Sequence, residues 1–219
     1  MRIKEAGALG GRVKKSRLFA GTSGWHYEHW KGPFYPAGLP AKNYLDHYIQ
    51  FFKTVEINRT FYGLPERKVF LDYAKRVPTD FVFAIKASRF ITHIKRLKDP
   101  KPSLQKLFSC VDGLGSHLGP ILFQLPPHWE LNLERLRSFL KALPKRRKYA
   151  FEFRNSSWLV EEVYDLLREY GTGFCIYDLN GFTTDPIVTT DFVYVRLHGP
   201  KAAYKDKYPL SSLKKWSRF

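Results

Sequence analysis

Cysteine is scarce in this chain, with two among 219 residues. Cys110 and Cys175 stand far apart and form no CxxC pair. That argues against a disulfide framework or a zinc knuckle, and for two packed thiols in a reducing cytoplasm. No apolar run approaches the roughly 18 residues of a membrane span. The charged start of the chain holds no apolar core of a signal peptide, so no membrane partner is expected. No glycine-rich dinucleotide fingerprint appears. Acid is also short: 20 Asp and Glu face 37 Lys and Arg, a net charge of +17. Basic patches lie at 1–17, 86–106, 141–148 and 201–218. Such a balance favours anionic partners, either a small anionic molecule or nucleic acid, although a merely basic surface accounts for it equally well.

What is present is a set of short apolar runs that end in polar groups. They are TVEIN at 54–58, FAIKA at 83–87, ILFQLPP at 121–127, YAFEFR at 149–154 and VYVRLHG at 193–199. Large apolar residues hold one parity and polar residues the other. Val55 and Ile57 flank Glu56; Phe151 and Phe153 flank Glu152; Val195 and Leu197 flank Arg196. Strand side chains alternate faces, so each run turns one face to helices and its polar ends to the other. One sheet of such strands gathers Glu56, Asn58, Lys86, Gln124, Glu152, Arg154, Arg196 and His198 at one rim.

The order of elements predicts the sheet. Residues 1–17 read as a basic flexible tail. Strands are expected at 18–25, 54–58, 81–87, 119–127, 149–154, 173–180 and 192–199. Helical spacing of Leu45, Tyr48 and Phe52 follows Pro40; Val69, Tyr73, Ala74 and Val77 lie between Pro65 and Pro78. Leu104, Leu107, Phe108 and Val111 follow Pro102, and Leu133, Leu136 and Leu140 mark a helix over 131–143. Asn155, Ser156 and Ser157 offer N-caps to the next helix, whose start carries Glu161 and Glu162. A further helix starts near 210. Repeated β-α alternation predicts a parallel sheet, and unit spacing favours a closed TIM (β/α)8-type barrel over 18–219. Catalytic groups in such barrels sit at C-terminal strand ends, where the polar residues lie.

The rim chemistry supports two classes of function. In the first, Glu56, Glu152 and His198 carry acid–base hydrolysis or lyase chemistry on a phosphorylated or sugar-like substrate, possible within nucleic acid as well. Lys86, Arg154 and Arg196 hold its anionic group, and Lys86 is also a candidate for a Schiff base. Gln124 and Asn58 orient polar groups, Asp178 closes the sixth strand, and Thr22 sits in a small-residue turn open to a ligand. Trp25, Tyr62 and Trp158 are candidates to stack on a sugar or base. The competing reading of the charges is a buried ion-pair network that closes the barrel mouth. His26 and His29 have H-x-x-H spacing, a weak metal signal in an aromatic loop, and no metal is assigned. The sequence names no cofactor. In the second class the chain is a non-catalytic nucleic-acid-binding protein that uses its basic surface.

Six motifs in order, GTSGWHYEHWKGPFYP, VEINRTFYGLP, FAIKASRFITH, GPILFQLPP, FEFRNSSW and VYVRLHGP, resemble the YecE-like family, a domain-of-unknown-function family. The resemblance covers about 18–208 and implies a TIM-barrel fold without implying an activity. It also implies one more strand and a last helix after the RLHG strand. This chain stops at Phe219 before either, so a barrel lacking its last strand and helix is expected.

Overall fold

The computed structural model describes residues 17–202 and 206–217. The tail expected over 1–17 lies outside these residues except for Arg17. The fold is mixed α/β, a curled sheet of seven strands with helices on its outer face. Strands β1 (Thr54–Ile57), β2 (Val82–Lys86), β3 (Leu118–Leu125), β4 (Tyr149–Phe153) and β5 (Gly173–Leu179) pair in sequence order, all parallel. β6 (Phe182–Thr183) folds back antiparallel on β5, a hairpin with no counterpart in the sequence reading, and β7 (Tyr194–Leu197) pairs parallel with β5.

Register sorts the side chains. Val55 lies beside Phe83, Ile85 beside Ile121, Phe123 beside Phe151, and Phe151 beside Phe174. This parity meets the helices α3 (Arg67–Lys75), α4 (Pro100–Val111), α5 (Leu133–Lys141) and α6 (Glu161–Glu169), after the short α1 (Tyr44–Tyr48) and α2 (Arg59–Tyr62). Leu104, Leu107, Phe108 and Val111 are buried as the spacing requires. In α3 the fully buried residue is Phe70, one position beyond the expected Val69. Asn155 caps a short turn at Ser156–Trp158 by accepting from Ser157 N–H, and α6 starts later, after Val160. Phe123 packs edge-on to Phe139 at 5.0 Å, and Phe153 stacks on Trp158 at 5.1 Å. Rings in such pairs add about 0.5–1.5 kcal/mol beyond the area they bury.

The expected first strand at 18–25 is not a regular strand. The segment runs beside β1 and is tied to it by Glu56 N–H donating to Thr22 O at 2.9 Å. Gly21 permits the approach, because a Cβ there would stand 2.2 Å from Thr54 O. No backbone pairing joins β7 to this segment or to β1 among the described residues, so the sheet forms a curled half-barrel and no closed ring, where a barrel lacking its last strand and helix was expected; β7 turns Val195 and Leu197 outward, exposed. The loop after β2 carries a π-helical turn at Phe90–Ile94, then Arg96, Leu97 and Asp99 at φ 45, 62 and 41°. Leu97 is buried, and its packing holds a backbone that non-glycine residues seldom adopt. α7 (Leu210–Trp216) ends the described chain.

Candidate functional site

The second parity lines the inner face of the curl. Glu56 lies beside Ala84, Lys86 beside Leu122, Gln124 beside Glu152, Cys175 beside Tyr194, and Tyr177 beside Arg196. Leu122, Ala150 and Cys175 fill the floor with small or apolar volume. The charges stand above them. The alternation written in the sequence therefore places Glu56, Lys86, Glu152 and Arg196 on one face.

Arg196 is the centre. Its Nη1 donates to Glu152 Oε2 at 2.6 Å and its Nη2 to Glu56 Oε1 at 2.8 Å. Tyr194 Oη donates to Glu56 Oε2 at 2.7 Å. Glu56 belongs to β1 and Arg196 to β7, so side chains close the curl where backbone pairing does not. Arg154 Nε donates to Glu152 Oε1, and its guanidinium lies 4.6 Å from the Tyr177 ring centroid. Glu152 is 0% exposed. Burial pushes its carboxyl up, but Arg196 and Arg154 outweigh that and hold it below the ordinary carboxylate range.

His198 follows from the same geometry. Arg154 Nη2 stands 3.0 Å and Arg196 Nη1 3.4 Å from its Nε2. A guanidinium only donates, so Nε2 accepts and the ring is neutral with its proton on Nδ1. Burial first, then the Arg196 charge, lowers its pKa to about 4. Burial, then Arg196, lowers Lys86 to about 8 against the opposing pull of Glu152 and Glu56. Lys86 Nζ has no carboxylate within 4.0 Å among the described residues and sits 4.2 Å from the Phe61 ring centroid. Arg196 Nε is buried with no hydrogen-bond partner among the described residues.

Other expected residues fall elsewhere. Thr22 is spent on structure: its N–H donates to Tyr48 Oη at 3.0 Å and its Oγ1 to Gly24 O at 2.7 Å. Trp25 is 5% exposed and Trp158 0%. Both are core side chains, with Trp158 Nε1 donating to Trp129 O at 2.6 Å, so neither ring offers a free face for stacking. Tyr62 is 77% exposed. Asn58 Nδ2 donates to Ser23 O at 3.0 Å, while its Oδ1 is buried without a partner. Asp178 has the parity of Phe174 and Ile176, the face opposite Tyr177, and its Oδ2 accepts from Thr183 Oγ1 at 3.2 Å. Gln124 lies on the inner face beside Glu152.

Sequence reasoning missed Phe61, His93, Cys175 and Tyr194. His93 packs at 5.1 Å against Phe61, and burial, then Lys86, lowers its pKa. Cys175 Sγ donates to Glu152 Oε2 at 3.7 Å, and burial raises its pKa well above the usual range. The strand parity of Cys175 and Tyr194 was available as a signal. The π-helical turn that delivers His93 had none. Among the described residues, no three of His, Cys, Asp and Glu gather as metal ligands, and no helix is long and apolar enough to cross a membrane. A separate open depression of about 510 Å³ is lined by Arg96, His128, Trp129, Glu130, Asn132 and Asn155 on the loops beyond β2, β3 and β4.

Residues 19–218 match the family described as "Protein of unknown function DUF72". The chain is 27% identical over 157 residues to UPF0759 protein YunF of Bacillus subtilis, covering 68% of this chain and 54% of that protein. It is 26% identical over 145 residues to UPF0759 protein YecE of Escherichia coli K12, covering 66% and 51%. The chain thus spans about half the length of these curated relatives. A DUF72 family protein of Thermotoga maritima superposes with TM-score 0.80 at 30% identity, covering 91% of this chain and 85% of that one. One from Enterococcus faecalis gives 0.68 at 18% identity over 91% and 82%, a likeness of fold alone.

Proposed function

Because the chain belongs to the DUF72 family, a family defined without an activity, we propose its function from the inner face alone: it is an enzyme that holds a phosphorylated or sugar-like anion at the strand ends and works on it by acid–base hydrolysis or lyase chemistry. One observation carries this reading. Lys86, Arg154 and Arg196 converge there with Glu56 and Glu152, and the arginines take both carboxylates, so Lys86 has no carboxylate within 4.0 Å among the described residues. The buried Arg196 Nε–H, without an acceptor, adds a donor to the same place. A half-buried cation with no carboxylate beside it and an orphaned buried donor are both costly, and an anionic oxygen relieves both. Glu56 and Glu152 set the charge and hold the arginines. His198, neutral at pH 7, takes the proton when an incoming anion draws Arg154 off its Nε2.

The sheet fits a segment of a TIM (β/α)8-type barrel, given its sequential parallel strands and polar C-terminal strand ends. Nucleic-acid binding through the basic surface is the second reading, supported by the net charge of +17. Calorimetric titration with ribose 5-phosphate and with ribose separates them. Binding of the phosphate alone, weakened at least about tenfold in Lys86→Met, supports the anion site. Unchanged phosphate affinity in Lys86→Met, or phosphate binding that vanishes with modest salt while short RNA binds more tightly, sinks it in favour of the second reading.

A further inference from the structure

We propose that the Lys86 amine forms an imine with the open-chain carbonyl of an anionic substrate, an aldose or ketose phosphate, which makes the chain a lysine-dependent lyase or isomerase. The proposal rests on the anion site described above and adds a covalent step to it.

The geometry singles out this amine. Lys86 ends β2 on the inner face and is only partly buried, so a ligand can reach it. Its neighbours Glu56 and Glu152 are bound to Arg196 and Arg154, and no carboxylate lies within 4.0 Å of Nζ among the described residues. Phe61 covers one side of the ammonium group at 4.2 Å. By contrast, Lys31, Lys53, Lys68 and Lys95 each hold a surface carboxylate within 3.2 Å. A desolvated lysine beside other cations is the setting in which an amine becomes a nucleophile near neutral pH. With its pKa lowered to about 8 from 10.5, roughly a tenth of Lys86 is neutral at pH 7, about 300-fold more than an ordinary lysine.

The step balances. The Nζ lone pair bonds to the carbonyl carbon, the π pair moves to oxygen, and the proton lost by nitrogen ends on that oxygen. The hydroxyl takes the proton that the Lys86 ammonium gave up on becoming a free amine and leaves as water while nitrogen forms the C=N bond. The product is an iminium that keeps one positive charge. His93 packs against the same Phe61 ring as Lys86 and is assigned, in this proposal, the relay of that proton. The iminium draws electrons from the adjacent carbon, which eases removal of a proton or cleavage of a carbon–carbon bond there. The arginines hold the phosphate meanwhile.

The test incubates the full chain with dihydroxyacetone phosphate and sodium cyanoborohydride, then maps peptides by mass. The expected result is one reduced adduct on Lys86, formed at least about tenfold faster than on any other lysine. Its rate should rise with pH and level off above about 8. Lys86→Arg, which keeps the charge, should lose the adduct. Adducts spread over surface lysines without excess at Lys86, or equal trapping in Lys86→Arg, overturn the proposal. Calorimetry without reductant separates the two claims. Inorganic phosphate that binds wild type and Lys86→Arg alike, with no adduct, removes the imine and leaves the anion site. A specific Lys86 adduct without phosphate binding supports the imine and removes the anion site.

Discussion

Glu152→Gln changes one oxygen to nitrogen in a side chain that is 0% exposed. The carboxylate takes Arg196 Nη1 at 2.6 Å, Arg154 Nε, and the Cys175 thiol. A glutamine has one acceptor oxygen and one donating NH2, so one guanidinium N–H would face another donor. The two arginines would also keep their charge in a buried place, with Glu56 left to answer only Arg196. Removing one partner of a buried pair costs about 3–5 kcal/mol. For a chain of this size each kcal/mol moves the melting point by about 2–4 °C, so the expected drop is roughly 6–20 °C. Urea unfolding followed by tryptophan fluorescence measures it. A loss below about 1 kcal/mol in Glu152→Gln would show that water solvates these charges and would refute the closure of the curl by side chains. The same logic makes Glu152→Gln a poor probe of chemistry, since lost turnover would follow from lost structure.

Acid should destabilise the fold in a defined window. The folded His198 titrates near 4 and the unfolded side chain near 6.5, so between these values the unfolded chain binds the extra proton. Stability therefore falls as pH drops from 6.5 to 4, by at most about 3 kcal/mol. The lowered Glu152 carboxyl adds loss in the same direction at lower pH. Denaturant titrations across pH should show the fall, and His198→Gln should flatten it; a flat wild-type profile contradicts the burial of both groups. Gly21→Ala, with Thr54 O only 2.2 Å from the new methyl, should cost about 1–3 kcal/mol by thermal melt, and an unchanged melt would mean the leading segment does not pack on β1. Arg96→Gly should raise the melt by about 2–4 °C, since φ 45° suits glycine; a fall would show that the arginine side chain, not its backbone, matters there.

The parity of the apolar and polar residues in TVEI, VFAIK and YAFEF placed Glu56, Lys86 and Glu152 on one face, because a strand has a strict period of two. Helix α4 was legible for the same kind of reason: Leu104, Leu107, Phe108 and Val111 repeat with the helical period and are buried. A barrel short of its last strand was expected from the family resemblance, but the departure of the leading segment from a regular strand was not legible. Whether Leu18 to Thr22 pairs as a strand depends on what lies beside it, and a short apolar run does not record its neighbours. Trp25 and Trp158 were read as stacking candidates from residue type, which does not tell a core ring from an exposed one. Asp178 was assigned by position at a strand end, but its parity sends it to the other face. His93 depends on a π-helical turn, which leaves no period in the sequence.

The central claim is that an anion sits against Lys86 and Arg196 on the inner face. A crystal structure of the chain soaked in ribose 5-phosphate at moderate salt tests it most directly. Phosphate density is expected within hydrogen-bond distance of Lys86 Nζ and Arg196 Nε, with Arg154 drawn away from His198. Phosphate density confined to the surface cluster of Lys145, Arg146, Arg147 and Lys148, with the inner face unchanged, would contradict it.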